Sequence, residues 1–553
     1  MTRNIHPETP QPLWQRMTMA SIPTSTAARL PITDEPLYVW SPSCSDTVVE
    51  KLRQNEPTCV NIAVSCNNDT QTKRLFRALA DNTNVQRCFV QFGRRVPTND
   101  SVARLVGTCI SRNPSLRECQ LHFSEECNDE AVSIIFANMF RETVVSSSRS
   151  TSSPTAPPHS LQKLTIQNGV GTIDGAIFGT LVESNNTPEY LLFYTGIYGD
   201  AVEAIGGALA TNRSIRKLQF RDCFYELGIA EEVGGTASTS VPIRAGIALG
   251  NALRINTFLH ELDLAHCNLC AESVNKLLAG LRHNDTLRIL NLAGNRIGDQ
   301  GAMYLSCWLS EKERIGLGEN SHSDMNNEND GSGVTVRTIG STCRLKSLCV
   351  DKCRIMVSGS NALCESIQGN PFLCLEKIMV TQREDPETVA AVLSLFLSLL
   401  RSNHPSLRTI EWRNLSSGIP QAMSSVPSKT LHWENVIDTL WEHNTNLTDL
   451  NVGVVPELHS FAVRLALLRN RALNTGTPYE TPLRQLQLLL PNLHSKLSLQ
   501  LSIECHRYSD QGEGQQSCER SWRRYYTTVF CMVRRSIKEI HQGNPLMSPS
   551  IGS

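Results

Sequence analysis

The chain has 553 residues, of which 40% are hydrophobic and 19% charged, enough apolar content for one long continuous core. With 52 basic and 53 acidic residues the net charge is −1, so no global field marks nucleic acid or an anionic membrane as the partner. The longest apolar run, Val389 to Leu400, contains two serines and is too short to cross a bilayer. At the N-terminus, residues 1–44 are rich in Pro, Thr and Ser, with scattered Arg and no uninterrupted apolar core of signal-peptide length. They read as a disordered leader.

From Ser45 a different pattern begins. Ser45-Asp46 followed by Val48, Val49 and Leu52 predicts a capped helix that closes the first repeat. A ladder of apolar residues then recurs, with first positions at Cys59, Val85, Leu116, Leu161, Pro188, Ile215, Leu259, Leu287, Leu345, Leu375, Leu407 and Leu447. The short spacings run from 26 residues (Cys59 to Val85) to 32 (Leu375 to Leu407), room for a strand followed by a full helix. Longer spacings, from 40 residues (Leu407 to Leu447) to 58 (Leu287 to Leu345), contain polar, turn-rich tracts. Those tracts, near 144–160, 231–242, 311–342 and 416–430, read as disordered insertions on one rim, and their Ser and Thr content suits phosphorylation.

The clearest units are Leu259-His-Glu-Leu262-Asp-Leu264-Ala-His-Cys267-Asn-Leu269 and, 28 residues on, Leu287-Arg-Ile-Leu290-Asn-Leu292-Ala-Gly-Asn295-Arg-Ile297. Both fit L-x-x-L-x-L-x-x-N/C-x-L, the register of a leucine-rich repeat. Helices follow: Val274, Leu277, Leu278 and Leu281 share one face after the first, and Ala302, Leu305 and Leu309 after the second. Asn251, Asn284 and Asn370 follow or close such helices, where a left-handed backbone suits Asn. The fold class expected is therefore α/β: a leucine-rich-repeat solenoid over residues 45–480, a horseshoe of about 12 helix-bearing repeats. Parallel strands are expected on its concave face and helices on its convex face. Beyond it, residues 481–541 read as a C-terminal cap with an amphipathic helix from Ser517 to His541, and residues 542–553 as a disordered tail.

The helix-bearing period, Asn or Cys at the ninth position and Gly301 in Asn295-Arg-Ile-Gly-Asp-Gln-Gly301 resemble the ribonuclease-inhibitor type of leucine-rich repeat. That superfamily includes the Ran GTPase-activating proteins and the repeat domains of nucleotide-binding innate-immune receptors. The resemblance implies a eukaryotic intracellular protein that binds other proteins, and no catalytic residue carries over. The chain lacks the long acidic tail of the Ran activators; regulation of a small GTPase stays the alternative, and accelerated GTP hydrolysis would identify it.

Motifs for chemistry are sparse. No phosphate-binding loop, zinc-protease helix or nucleophile elbow occurs, so no enzyme activity, cofactor or metal is expected. Cys267-Asn-Leu-Cys270 is a C-x-x-C without a second matching pair, although Cys349 and Cys353 follow one repeat later. Nineteen cysteines cannot all pair within one chain. Cys59, Cys88 and Cys119 replace apolar ladder residues, while Cys223, Cys267 and Cys353 take the ninth position, which favours a reducing setting, cytoplasmic or nuclear. Arg520, Arg523, Arg524, Arg534, Arg535 and Lys538 make the last helix basic; a solvated cap face is the simplest reading, with a membrane or partner contact as the other.

Alternation along a strand points the third, fifth and seventh positions of each repeat to solvent. At the repeat starting with Pro188 these are Tyr190, Leu192 and Tyr194, flanked by Lys163, Thr165 and Gln167 on one side and Lys217, Gln219 and Arg221 on the other, with Glu261 and Asp263 beyond. Aromatic and apolar side chains on an exposed strand, rimmed by charge, predict the core of a partner-binding surface, the alternative being a frame shifted by one at Pro188 that buries Tyr190 and Leu192.

Overall fold

The computed structural model describes residues 39–41, 46–94, 96–124, 129–139, 161–168, 175–183, 188–194, 196–197, 199–224, 240–310, 344–381, 396–413 and 433–451, with scattered positions between 463 and 474. The insertion tracts 144–160, 311–342 and 416–430, the cap at 481–541 and the tail at 542–553 lie outside the described residues.

Among the described residues thirteen strands form one sheet in strict sequence order, every neighbouring pair parallel. They are β1 (Val39–Ser41), β2 (Asn61–Cys66), β3 (Arg87–Phe92), β4 (Glu118–Phe123), β5 (Lys163–Asn168), β6 (Tyr190–Tyr194) and β7 (Lys217–Phe220). The series continues with β8 (Glu261–Asp263), β9 (Ile289–Asn291), β10 (Ser347–Val350), β11 (Lys377–Thr381), β12 (Thr409–Arg413) and β13 (Asp449–Asn451). From β2 onward each strand starts two residues after a ladder position read from the sequence, so the leucine-rich-repeat solenoid stands. Each strand packs on the next strand and, from Asp46–Arg53 to Val357–Gly369, each helix on the next helix, which is how a repeat unable to bury its own apolar face is stabilised.

The core is filled by the fourth and sixth positions. Leu191, Phe193, Leu218, Leu262, Leu264, Leu290 and Leu292 are all 1% exposed or less. Phenylalanines reinforce it in two runs, Phe92 on Phe123 at 5.1 Å between centroids and Phe193 on Phe220 at 5.4 Å, both stacked.

Turns after the strands are built around the ninth position. Asn295 is buried; its Oδ1 accepts the N–H groups of Cys267 and Leu269, and its Nδ2 donates to the carbonyls of Leu264 and Leu292. Where Cys stands instead, the thiol takes over the donation to the preceding repeat: Cys267 to Phe220 O at 3.3 Å and Cys353 to Leu292 O at 3.0 Å. The eighth and tenth positions around these cysteines turn left-handed, as at Asp222 and Phe224, His266 and Asn268, Lys352 and Arg354.

Three expectations are corrected. The ladder begins earlier than the leader boundary at residue 44 allows, because β1 lies inside it and pairs Val39 with Ile62. A three-residue strand carries too little pattern to be read from sequence. The insertion given as 231–242 ends sooner, since a helix already spans Val241–Ile255. Pro242 sits in its first turn, where a missing N–H costs nothing.

The third correction concerns asparagine. Asn251 lies within that helix, and neither Asn284 nor Asn370 adopts left-handed backbone; Asn370 has φ −119°. Instead a second buried asparagine ladder ties the helix-to-strand turns together. Asn82, Asn113, Asn212, Asn256, Asn284 and Asn444 each stand three residues before a first position. Each Oδ1 accepts the N–H of that first residue, at 2.8 Å for Asn82, Asn113, Asn212, Asn256 and Asn284. Each Nδ2 donates back to the preceding repeat, for example Asn256 to Leu209 O at 2.6 Å and Asn284 to Leu253 O at 2.7 Å. Before Leu407 a histidine substitutes: His404 Nε2 lies 2.9 Å from Asn370 O.

Candidate functional site

On β6 the alternation is strict. Leu191 and Phe193 are fully buried, while Tyr190, Leu192 and Tyr194 are half-buried on the open strand face. The parallel register extends these three into rows. Lys163, Tyr190, Lys217 and Glu261 stand side by side, as do Thr165, Leu192, Gln219 and Asp263. Gln167 pairs with Tyr194, and Arg221 continues the ladder beyond β7 by donating its N–H to Phe193 O at 2.9 Å. All seven expected site residues, Tyr190, Leu192, Tyr194, Lys217, Arg221, Glu261 and Asp263, therefore share one surface across β6, β7 and β8. Thr165, in register between Gln120 and Leu192, is buried although it belongs to the open row.

The tyrosines are held in place. Lys163 Nζ lies 4.8 Å from the centroid of the Tyr190 ring, a cation–π contact, and the Tyr190 hydroxyl donates to Gln219 Oε1 at 2.5 Å. The Tyr194 hydroxyl donates to the carboxylate of Asp222. Burial, with the negative charges of Glu261 and Asp263, pushes the Tyr190 hydroxyl above the usual tyrosine range, and burial with Asp222 does the same for Tyr194. Both rings are thus neutral phenols, apolar platforms at any physiological pH. Lys217 pairs with Glu261 at 2.9 Å. Burial raises the Asp263 carboxyl, against hydrogen bonds from the Ala265 N–H and the Asn291 side chain that lower it. Asp222 was not picked out by sequence: only the left-handed turn after β7, φ 50° at Asp222, aims it at Tyr194.

Elsewhere on this face, Arg87 and Glu118 pair at 3.1 Å, and Phe89 and Gln120 stand in register. His122 is largely buried, which lowers its pKa and keeps the imidazole neutral.

The C-x-x-C is engaged structurally. Cys267 is buried with its thiol on Phe220 O, and burial holds it far above the ordinary thiol range; Cys270 Sγ lies 3.1 Å from Ser273 Oγ. Among the described residues no group of three or more His, Cys, Asp and Glu is arranged to hold a metal ion. Nor is any helix among them long and apolar enough to cross a membrane.

Buried thiols set an expectation for reactivity. Burial pushes Cys88, Cys353 and Cys364 up to about 12. The thiolate is the nucleophile, so mass-spectrometric mapping of alkylation at pH 8 should label exposed Cys307 and Cys374 first and these three only after denaturation. Because the folded pKa is raised, their contribution to stability is fully present below the unfolded value near 9. It is lost as pH rises toward 12, so denaturant midpoints should fall through that window.

Among known proteins, a family model described as a leucine-rich repeat matches residues 256–277 and 283–306, the two units around β8 and β9. The chain carries leucine-rich repeats over those residues, within the repeat solenoid described above. No curated protein matches it. Similar solved structures include the crystal structure of the TLR13–ssRNA13 complex, 13% identical, TM-score 0.29, covering 71% of this chain and 41% of that one. The chain thus spans about two fifths of that longer relative. The complex of Rad7 and Elc1 in yeast is also similar, at 13% identity and TM-score 0.29, covering 74% of this chain and 82% of that one. A third, actin-binding site 2 of leiomodin-1, is 18% identical with TM-score 0.19, covering 34% of this chain and 83% of that one.

Proposed function

We propose that this chain is a non-catalytic scaffold of the ribonuclease-inhibitor-like kind that holds a protein partner against the strand face of its repeats, centred on β6. The observation that carries this is the outward Tyr190-Leu192-Tyr194 row with both hydroxyls tied back to the protein. Aromatic side chains already fixed in orientation lose little freedom on binding, and such residues dominate interface energetics. Beside them Lys217 and Glu261 are engaged with one another, which favours recognition over proton transfer. Thirteen strands at about 4.8 Å spacing give a face roughly 58 Å long, ample for a standard interface of about 800 Å² per partner. A net charge of −1 argues for protein in preference to nucleic acid or an anionic bilayer. Free thiols such as Cys88 and Cys119, facing each other in register within the core, support a reducing setting, cytoplasmic or nuclear.

The test compares the intact protein with the double substitution Tyr190→Ala and Tyr194→Ala in affinity capture with mass spectrometry. Partners should be lost from the variant by at least tenfold while its melting temperature stays within about 2 °C. Loss of stability in step with binding would mean that the tyrosines serve the fold.

A further inference from the structure

Most charge on the strand face is neutralised internally. Glu118 holds Arg87 at 3.1 Å and Glu261 holds Lys217 at 2.9 Å. Asp263 accepts the Ala265 N–H at 2.9 Å and the Asn291 side chain, and Asp222 accepts the Tyr194 hydroxyl. These four carboxylates all have partners within the fold. Two cations differ. Lys163 rests its ammonium over the Tyr190 ring, and among the described residues no carboxylate lies within ion-pair distance of it. Arg221 is exposed, and among the described residues its guanidinium makes no direct hydrogen bond or ion pair, its charge reaching Asp263 only at longer range.

Their placement is specific. Lys163 shares the row of Tyr190 on β5, and Arg221 lies beyond β7 beside Tyr194, so the two stand diagonally on either side of Leu192. Two strand spacings and four residues of rise put them roughly 16 Å apart at the backbone, a span that about five residues of extended chain cover. Between them lies the apolar strip of Tyr190, Leu192 and Tyr194.

We infer that the partner presents an acidic protein segment, with two carboxylates about five residues apart bracketing an apolar residue that seats on Leu192. This rests on the scaffold reading given above and adds to it the chemistry recognised. A nucleic-acid strand fits less well: it brings a phosphate at every nucleotide, whereas the patch offers two free cations hemmed by Glu118, Glu261 and Asp263. A carboxylate at each end meets a cation, although Glu118 stands in register beside Lys163 and Asp263 feels the charge of Arg221, and charge-assisted pairing to Arg221 supplies direction as well as attraction.

The experiment selects a displayed library of random 12-residue peptides on the immobilised full chain in 0.15 M salt, about physiological strength, and titrates the enriched peptides by fluorescence anisotropy. The expected sequences carry Asp or Glu four to six positions apart around an apolar residue. Lys163→Gln and Arg221→Gln should each weaken binding about fivefold, and rising salt should weaken it further. A peptide with its matching acid changed to Lys should bind Arg221→Glu better than it binds the unchanged chain. Peptides without acidic enrichment, or binding indifferent to both cation variants but lost on Tyr190→Ala with Tyr194→Ala, would overturn the acidic segment and leave the scaffold reading intact. Indifference to all four substitutions would remove both. Displacement of the peptide by a 20-nucleotide oligo-dT would assign the patch to nucleic acid and overturn the inference, as would no enrichment on a chain shown to be folded by circular dichroism.

Discussion

Asn284→Ala is expected to cost about 3–5 kcal/mol, several times the average point substitution. The side chain sits among backbone groups that have no other partner among the described residues. Its Nδ2 donates to Leu253 O at 2.7 Å and Asn256 O at 2.9 Å, and its Oδ1 accepts the N–H of Thr286 at 3.1 Å and of Leu287 at 2.8 Å. Truncation strands two donors and two acceptors in a buried turn, and a cavity one amide wide holds at most a single water to replace them. The carbonyls belong to one repeat and the N–H groups to the next, so the loss falls on the interface between repeats. In an array whose stability is a sum of nearest-neighbour couplings, weakening one coupling uncouples the units on either side. Urea unfolding followed by far-ultraviolet circular dichroism should therefore move to a lower midpoint and broaden into two steps. Asp285→Ala, one residue on and exposed, should change stability by less than about 0.5 kcal/mol. Equal behaviour of the two would refute the ladder's role.

The contrast between the two asparagine ladders shows what the sequence makes legible. Asn295 is recognisable because its position is fixed relative to the leucines of its own strand, and repetition 28 residues earlier with Cys267 confirms the frame. Asn284 has the same regular offset before Leu287, yet a local rule, the tolerance of Asn for left-handed backbone at helix ends, offered a sufficient explanation and concealed the long-range bonds. The degenerate frame at Pro188 was not fixed by spacing, because repeats of 26 to 32 residues also allow a register shifted by one that would bury Tyr190 and Leu192; the structure takes the other, with Leu191 and Phe193 inside. What spacing does not contain is how side chains lean across strands. Tyr190 meets Gln219 and Tyr194 meets Asp222 only because neighbouring strands lie in parallel register and the turn after β7 is left-handed. That Lys163 and Arg221 have no ion pair among the described residues was equally hidden, since pairing is a property of the assembled rows: Lys217, two strands over from Lys163 in the same row, is already bound to Glu261.

Gly280→Ala is expected to destabilise by more than about 3 kcal/mol although it improves intrinsic helix propensity by nearly 1 kcal/mol. Gly280 lies in the helix Ala271–Leu281 and Gly250 in the preceding helix Val241–Ile255, and the two backbones meet at these glycines. A Cβ on Gly280 would stand 1.8 Å from Gly250 O and 2.4 Å from Gly250 C. Both atoms are main chain, so no side chain can rotate away and the helices must part. Gly246 is similarly placed, with an added Cβ 2.2 Å from Ser273 O, so the contact extends over more than a turn and resists local adjustment. Separation along this seam would also loosen Leu253, Leu277 and Leu281, which fill the space beneath. The control is Gly207→Ala on the helix Gly199–Thr211, where an added Cβ meets nothing within 4 Å. There propensity acts alone, and a stabilisation of about 0.5–1 kcal/mol is expected. Differential scanning calorimetry of the two alanine variants should shift in opposite directions. If Gly280→Ala were also neutral or stabilising, the close helix approach, and with it the spacing that holds β8 and β9 in register beside the tyrosine patch, would be wrong.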